Sequence, residues 1–157
     1  MTTQVEVKES NIAKRDELRD KMDMFEGAMF KHPDAKFGDD ACPLKHTFAD
    51  GCYIREITMP KGMILTSKIH KYRHPIFIIK GECTVITDDK SVKIKAPYWG
   101  MTEPMTKRVL YIHEETVWVT VHGTKKTDLD EIEKEIILPA FEEIENKKGG
   151  KKCLSLP

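Results

Sequence analysis

The chain has 157 residues, and its 26 Lys and Arg balance its 26 Asp and Glu, so the formal net charge is zero. This length suits one domain with a sizeable core, and the balanced charge argues against a nucleic-acid binder, which needs a basic face. No apolar run approaches the ~18 residues of a membrane span, and the N-terminus lacks the apolar centre of a signal peptide. The four cysteines show no zinc-motif or disulfide-scaffold spacing. We therefore predict a soluble cytoplasmic protein with no membrane or nucleic-acid partner.

The first predicted element is an amphipathic helix from Ser10 or Asn11 to about Phe30. Either residue can cap a helix, and residues 1–9 before it are polar and predicted to be disordered. Residues 10–50 form one unit, the N-terminal helix and an irregular loop. The helix has two candidate partners, the barrel of its own chain or a second subunit. Its apolar stripe consists of Leu18, Met22, Phe25 and Met29.

The loop after the helix, residues 31–50, has no hydrophobic period and is rich in turn-forming residues. It carries His32, Cys42 and His46, which could ligate a metal in principle. Their spacing fits no zinc pattern, so we interpret them as ordinary loop residues.

Short β-rich segments follow from residue 51 to residue 123. Turn-like sequences such as Lys80-Gly81-Glu82 and Glu114-Glu115 separate them, which predicts hairpins. Along the last segment three valines alternate with Trp118, Thr120 and His122, and we expect the valines to form the packed face. Strands at this density predict an antiparallel barrel or jelly roll. The predicted strands are Cys52–Met59, Met63–Ile69, Ile76–Lys80, Cys83–Thr87, Val92–Lys95, Arg108–His113 and Thr116–His122.

Residues 124–146 are predicted to form a short helical appendage. Thr127 or Asp128 can cap its helix, Glu131 completes a capping box, and Pro139 should end or kink it. The last residues, 147–157, are rich in Lys and Gly and are predicted to be a disordered tail.

The stretch from Gly62 to Gly81 places a polar cluster between two apolar runs, which suggests a site at the rim of a sheet. Its order is Gly62, five residues, Lys68, one residue, His70, three residues, His74, six residues, Gly81. This spacing resembles the first motif of the cupin family. Lys68 stands at the family's first histidine, His70 at its second, and His74 at its glutamate.

A second stretch resembles the second cupin motif. It runs from Pro97 through Gly100 to Glu103 and Lys107, with one extra residue between proline and glycine, Glu103 in place of histidine, and Lys107 in place of asparagine. The resemblance covers roughly Cys52 to His122 and is to small single-domain cupins, including the cupin-like proteins of bacteriophages. It implies a mainly β fold, a double-stranded β-helix or jelly-roll barrel over residues 51–123, with an N-terminal helix and a short C-terminal helix.

The resemblance also implies a site at the open mouth of the barrel. His70, His74 and Glu103 would form a set of two imidazoles and one carboxylate, suited to divalent Fe, Mn, Ni, Co or Zn. Lys68 opposes a metal, because an ammonium beside a divalent cation is repelled. It would point away, lose its proton, or replace the metal and pair with Glu103. In an enzyme, Lys68 or Tyr72 would transfer protons.

Two functions stay open. The first is a small-molecule-binding cupin whose ligand is polar or anionic, and the second is a metal-dependent cupin enzyme, a lyase, isomerase or oxygenase. A homodimer is also expected, through Trp118 and the stripe of the N-terminal helix. Basic and aromatic residues near the motifs are the predicted ligand-binding set: Arg73, Tyr98, Trp99, Lys107 and Arg108.

Overall fold

The computed structural model describes residues 4–36 and 41–139, with side chains described from residue 13 onward. Among these residues, no helix has the length and apolar character needed to cross a membrane. Predictions for residues 1–3 and 140–157, including the C-terminal tail, lie outside the described residues. The elements are α1 (Gln4–Phe30), β1 (Leu44–Ala49), β2 (Cys52–Met59), β3 (Ile64–Thr66), β4 (His74–Ile86), β5 (Ser91–Lys95), β6 (Tyr98–Thr102), β7 (Val109–Gly123) and α2 (Leu129–Ile136).

Two long antiparallel strands, β4 and β7, form the centre of the fold. In one layer, the start of β4 and the end of β7 are flanked by β6 on one side and by β2 and β1 on the other. In the second layer, the end of β4 and the start of β7 are flanked by β5 and β3. This confirms the predicted mainly β jelly roll. One core cluster joins the two layers: Met59, Ile76, Ile78, Cys83, Val85, Ile94, Leu110, Ile112 and Trp118.

The predicted hairpin turns at Lys80-Gly81-Glu82 and Glu114-Glu115 are wrong, because each sequence lies inside a continuous strand. The pairing register of β4 and β7 shifts between Ile78 and Cys83, as at a β-bulge. Gly81 has φ +92° there and lies against the backbone of the facing strand. A sequence that is typical of a turn thus bends a strand from one layer into the other.

Two strands lie where none is predicted. The loop over residues 31–50 contains β1, and β6 begins at Tyr98, within the second motif. Both are edge strands, since β1 pairs with β2 and β6 pairs with β4 at the edges of the sheet. Such strands are difficult to predict, because one-sided pairing leaves much of their surface exposed and weakens the hydrophobic alternation.

The prediction for the packed face of β7 is wrong. Trp118 and His122 are buried, with 6% and 4% of their surface exposed, whereas Val117, Val119 and Val121 are half-buried. The interior face of the barrel therefore carries a tryptophan and a histidine. The proposed dimer patch fails at Trp118, which belongs to the core of its own chain, and the homodimer itself stays a prediction.

The N-terminal helix packs on its own barrel. It begins at Gln4, ahead of the predicted cap, and Met22 of its stripe is buried. Polar contacts join it to the loop after β6: the Lys107 ammonium contacts Asp23 at 2.6 Å and also contacts Glu26. Of the two candidate partners of α1, the structure therefore describes contacts with the barrel of its own chain.

The second helix covers one end of the barrel. Its N-cap is Asp128, whose carboxylate accepts a hydrogen bond from the Glu131 amide at 3.0 Å, as predicted. Ile132 and Ile136 are buried in a small cluster with Tyr53 of β2. This packing puts α2 next to the polar end of the barrel interior.

Candidate metal centre

Three histidines meet inside the barrel: His70 from the loop between β3 and β4, His74 at the start of β4, and His122 near the end of β7. Their ring centroids are separated by 4.3 Å (His70 to His74), 4.4 Å (His74 to His122) and 5.1 Å (His70 to His122). The exposed fractions of these residues are 7%, 2% and 4%. The three rings thus form one buried cluster, the His cluster.

Strand geometry explains how these residues come together. His74 shares the inward face of β4 with Ile76 and Ile78, and His122 shares that of β7 with Trp118. The central pairing of β4 with β7 brings the two inward faces side by side. His70 is held by a β-bridge to Ile137, just after α2.

Each imidazole of the His cluster is neutral at neutral pH. Burial is the main cause that lowers the pKa of His70 to about 2 and that of His122 to about 4. Burial also lowers the pKa of His74, although its hydrogen bond to the Tyr72 carbonyl acts in the opposite direction. Neutral imidazoles keep a lone pair, which is the form that binds metal ions.

The hydrogen bonds of the cluster leave nitrogen lone pairs available. The Nδ1–H of His74 donates to the Tyr72 carbonyl at 3.1 Å, so its Nε2 carries the lone pair. Within the described part of the chain, His70 Nδ1 and His122 Nε2 are buried without a hydrogen-bond partner. A buried polar atom without a partner costs about 1–3 kcal/mol, so two in one cluster indicate a missing ligand.

The cluster fits a metal ion in size. Its candidate ligand atoms all lie within 4.8 Å of one another. Two imidazole nitrogens bound at ~2.1 Å to a tetrahedral zinc ion are ~3.4 Å apart, so the most distant pair must approach by ~1.4 Å, which is a shift of under ~1 Å for each ring. The hydrogen bond from His74 to a backbone carbonyl is the usual support of a metal-binding histidine. The His cluster could therefore hold a metal ion.

Glu103, the predicted carboxylate ligand, lies elsewhere. Its side chain is exposed and accepts a hydrogen bond from Arg73 Nε at 2.9 Å. His122 joins His70 and His74 instead. One sequence signal could have found it: His122 is on the same alternation as Trp118, and the second motif lacks its own histidine.

The remaining predicted site residues are spread over the surface and the α1 contact. Lys68 forms an ion pair with Glu133 of α2, and Tyr72 is 57% exposed. Tyr98 and Trp99 are exposed on β6, and Lys107 is paired with α1. The proton-transfer role of Lys68 and Tyr72 stays a prediction.

Arg108 is the predicted ligand-binding residue that lies beside the cluster. It is 8% exposed, and its Nη2 donates to Thr102 Oγ1 at 2.7 Å. Thr102 is the cross-strand partner of His74. The guanidinium carbon lies 5.9 Å from the centroid of the Trp118 ring, a cation–π contact inside the barrel.

Two residues next to the cluster are outside the predicted site: Tyr53 is not singled out from the sequence, and His46 is interpreted there as an ordinary loop residue. The Tyr53 ring stacks on His122, with a centroid distance of 6.1 Å and an interplanar angle of 25°. Its hydroxyl is 2.8 Å from His46 Nδ1. Tyr53 is 4% exposed, and burial raises the pKa of its hydroxyl.

The segment from α2 to Leu138 lies over this end of the barrel. The Lys71 amide donates to the Ile136 carbonyl at 2.8 Å, and the Leu138 amide donates to the Ile69 carbonyl at 2.9 Å. Together with the bridge between His70 and Ile137, these contacts tie the cover to the loop that carries His70.

No protein-family model matches the chain, and no curated protein matches it. Solved structures do match. A cupin-2 domain from Rhodospirillum rubrum aligns with 69% of this chain and 72% of its own, at 10% identity and a TM-score of 0.50. The cupin domain of Cnp3 from Schizosaccharomyces pombe covers 77% of this chain and 79% of its own, at 13% identity and a TM-score of 0.47.

An RmlC-like cupin family protein with a double-stranded β-helix fold, from Methanocaldococcus jannaschii, aligns with 57% of this chain and 88% of its own, at 18% identity and a TM-score of 0.45. Structural similarity at such low sequence identity shows the fold and not the function. The likeness to bacteriophage cupins stays a prediction. With its strand order and its two packed layers, the chain has the double-stranded β-helix fold of the cupin superfamily.

Proposed function

We propose that this protein is a metal-binding cupin, in which His70, His74 and His122 hold a divalent transition metal and a small polar or anionic molecule binds at the same place. The observation that carries the proposal is the pair of buried imidazole nitrogens, His70 Nδ1 and His122 Nε2, without a hydrogen-bond partner among the described residues. Neutral imidazoles are suitable ligands for Zn, Fe and Ni.

The chain's own residues would prepare the site. The Tyr72 carbonyl fixes the tautomer of His74, and burial keeps the three rings unprotonated. When bound, the metal would supply a Lewis acid that attracts a ligand oxygen. Three protein ligands leave further positions for such an oxygen. Ligand binding requires only these features, whereas an enzyme also requires groups that transfer protons. A binding module is therefore the first candidate.

A metal-dependent enzyme is the second candidate, and the contact between Tyr53 and His46 favours it. Tyr53 stacks on His122, and its hydroxyl is within hydrogen-bond distance of His46. His46 is half-buried, whereas Tyr53 is buried. The pair could therefore carry a proton between the His cluster and the barrel surface, as lyase or isomerase chemistry requires.

Elemental analysis of protein purified without chelator tests the metal site. We expect about one equivalent of transition metal, and at least a ~10-fold loss of zinc affinity in H70A, H74A and H122A. H32A and E103Q are the matched controls, since both side chains are exposed. Their zinc affinity should equal that of the wild type.

Two results would overturn the metal site. One is a folded wild-type protein that takes up neither zinc nor cobalt. The other is an E103Q protein that loses zinc while H122A keeps it, because that result would restore the carboxylate site. To separate enzyme from binding module, Y53F should leave metal and ligand affinity unchanged and abolish turnover only if the protein is an enzyme.

A further inference from the structure

Positive charge dominates the barrel interior around the His cluster. Arg108 is 8% exposed and donates to Thr102, the cross-strand partner of His74. Arg55 lies opposite Thr120 on the inward face of β2. In the described part of the chain, neither arginine forms an ion pair. Two cations thus lie beside three neutral rings, and neither has an ion-pair partner among the described residues.

Arg108 is the more buried of the two. It lies on the His74 side of the cluster, where Thr102 links the guanidinium to the strand position opposite His74. The structure gives its guanidinium one hydrogen bond, to Thr102, and one cation–π contact, to Trp118. A guanidinium has five N–H donors, so most of its hydrogen-bonding capacity is available for a ligand.

Arg55 approaches from the His122 side. It shares the inward face of β2 with Tyr53 and Met59, both of which are buried, and it is half-buried itself. Its cross-strand partner is Thr120, two residues before His122 on the same face of β7. Tyr53, its neighbour on that face, is the cross-strand partner of His122.

An isolated charge in a protein interior is expensive, and buried guanidinium groups are normally paired with carboxylates or phosphates. We propose that the missing partner is the ligand: the barrel interior binds a small organic acid, with one carboxylate on the Arg108 guanidinium and a second anionic group favoured by Arg55. This inference rests on the proposed function in that it names the ligand class of the same site.

The surroundings favour a small dicarboxylate. The planar guanidinium matches the two oxygens of a carboxylate, and a metal dication would add to the positive charge. Trp118, Ile76 and Ile78 fill the interior below the cluster, and α2 covers it. A monocarboxylate would leave one arginine without a counter-charge, and a large ligand would have to displace α2.

Calorimetric titration of metal-free protein with malonate tests the proposal, because without metal the acid cannot act by chelation. Acetate, inorganic phosphate and neutral malonamide are the comparison ligands. We expect saturable binding in the order malonate, acetate, malonamide, and at least a ~10-fold weaker malonate affinity in R108Q. R55Q should reduce the preference for malonate over acetate. R15Q is the matched control, since Arg15 is an exposed arginine paired with Asp88.

R108K keeps the positive charge but removes the planar guanidinium, so it should weaken malonate binding several-fold. It replaces R108Q as the test variant if R108Q does not fold. Equal malonate affinity in the wild type and in the folded Arg108 variants would overturn the proposal. Malonamide binding as tightly as malonate, or phosphate binding more tightly, would overturn the ligand class. Binding that requires zinc and ignores R108Q would overturn the arginine site. Because the titration uses metal-free protein, its result can be interpreted even if the protein proves not to bind a metal.

Discussion

Gly81 on β4 approaches the backbone of Glu115 on β7 so closely that an added Cβ would lie 2.2 Å from the Glu115 carbonyl oxygen. The contact occurs where the two central strands cross from one layer to the other. G81A should therefore lower the free energy of unfolding by at least ~3 kcal/mol, because backbone must move and a positive φ is imposed on alanine. Urea denaturation measures the change.

Gly62 offers the matched control. It also has a positive φ, +82°, but nothing lies within 4 Å of its added Cβ. G62A should cost only the backbone strain, about 1 kcal/mol. Equal effects of the two substitutions would show that the close approach of β4 to β7 contributes nothing.

Acid should destabilise the metal-free protein through the His cluster. The unfolded chain protonates its histidines near pH 6.5. In the folded chain, burial lowers the pKa of His122 to about 4 and that of His70 to about 2, so these imidazoles are protonated only at lower pH. Between these limits the unfolded state binds more protons, so the free energy of unfolding falls as the pH falls below ~6.5, by up to ~1.4 kcal/mol per pH unit for each histidine.

Urea denaturation between about pH 7 and about pH 5 measures this slope. H122L should reduce the slope by the contribution of one histidine, because leucine does not titrate, whereas H32L should leave it unchanged, since His32 is exposed. A wild-type slope unchanged in H122L would mean that His122 titrates alike in the folded and unfolded states.

Lys107 anchors the N-terminal helix with a buried ammonium that is 6% exposed. Replacing both of its acidic partners, as in D23N/E26Q, leaves that charge buried without a counter-charge and should cost about 3 kcal/mol. K107M removes the charge itself and should cost less than about half as much. Urea denaturation distinguishes them, and a larger loss in K107M would mean that the ammonium is required whatever its partners.

Arg108 should lower the stability of the ligand-free protein. Its guanidinium has no ion pair in the described part of the chain. R108M keeps the side-chain volume and should raise the free energy of unfolding by about 1 kcal/mol, as expected for a residue kept for binding. A loss of more than about 1 kcal/mol would identify Arg108 as a structural residue that holds Thr102 and Trp118 together.

The fold was predictable because its signals are local. Cys52–Met59 is rich in β-branched and aromatic residues and precedes the turn sequence Pro60-Lys61-Gly62, and it is a strand with the same bounds in the structure. Gly81 was misinterpreted as a turn residue, since its need for a glycine comes from Glu115, which is distant in sequence. The sequence alone does not show such a contact.

The site was predictable only in part. Spacing indicated His70 and His74, and the structure brings them together. His122 was missed because valines were expected inside, whereas the interior face of β7 carries Trp118 and His122. A buried site reverses the usual rule, since its polar residues occupy positions where the rule expects apolar ones.

Anomalous diffraction from crystals of the zinc-loaded protein, recorded at the zinc absorption edge, tests the central claim most directly. We predict one strong anomalous peak inside the barrel, within bonding distance (~2.1 Å) of one ring nitrogen from each of His70, His74 and His122. In H122A crystals the peak should be lost or much weaker. A zinc peak beside Glu103, or none within reach of the three histidines, would contradict the account.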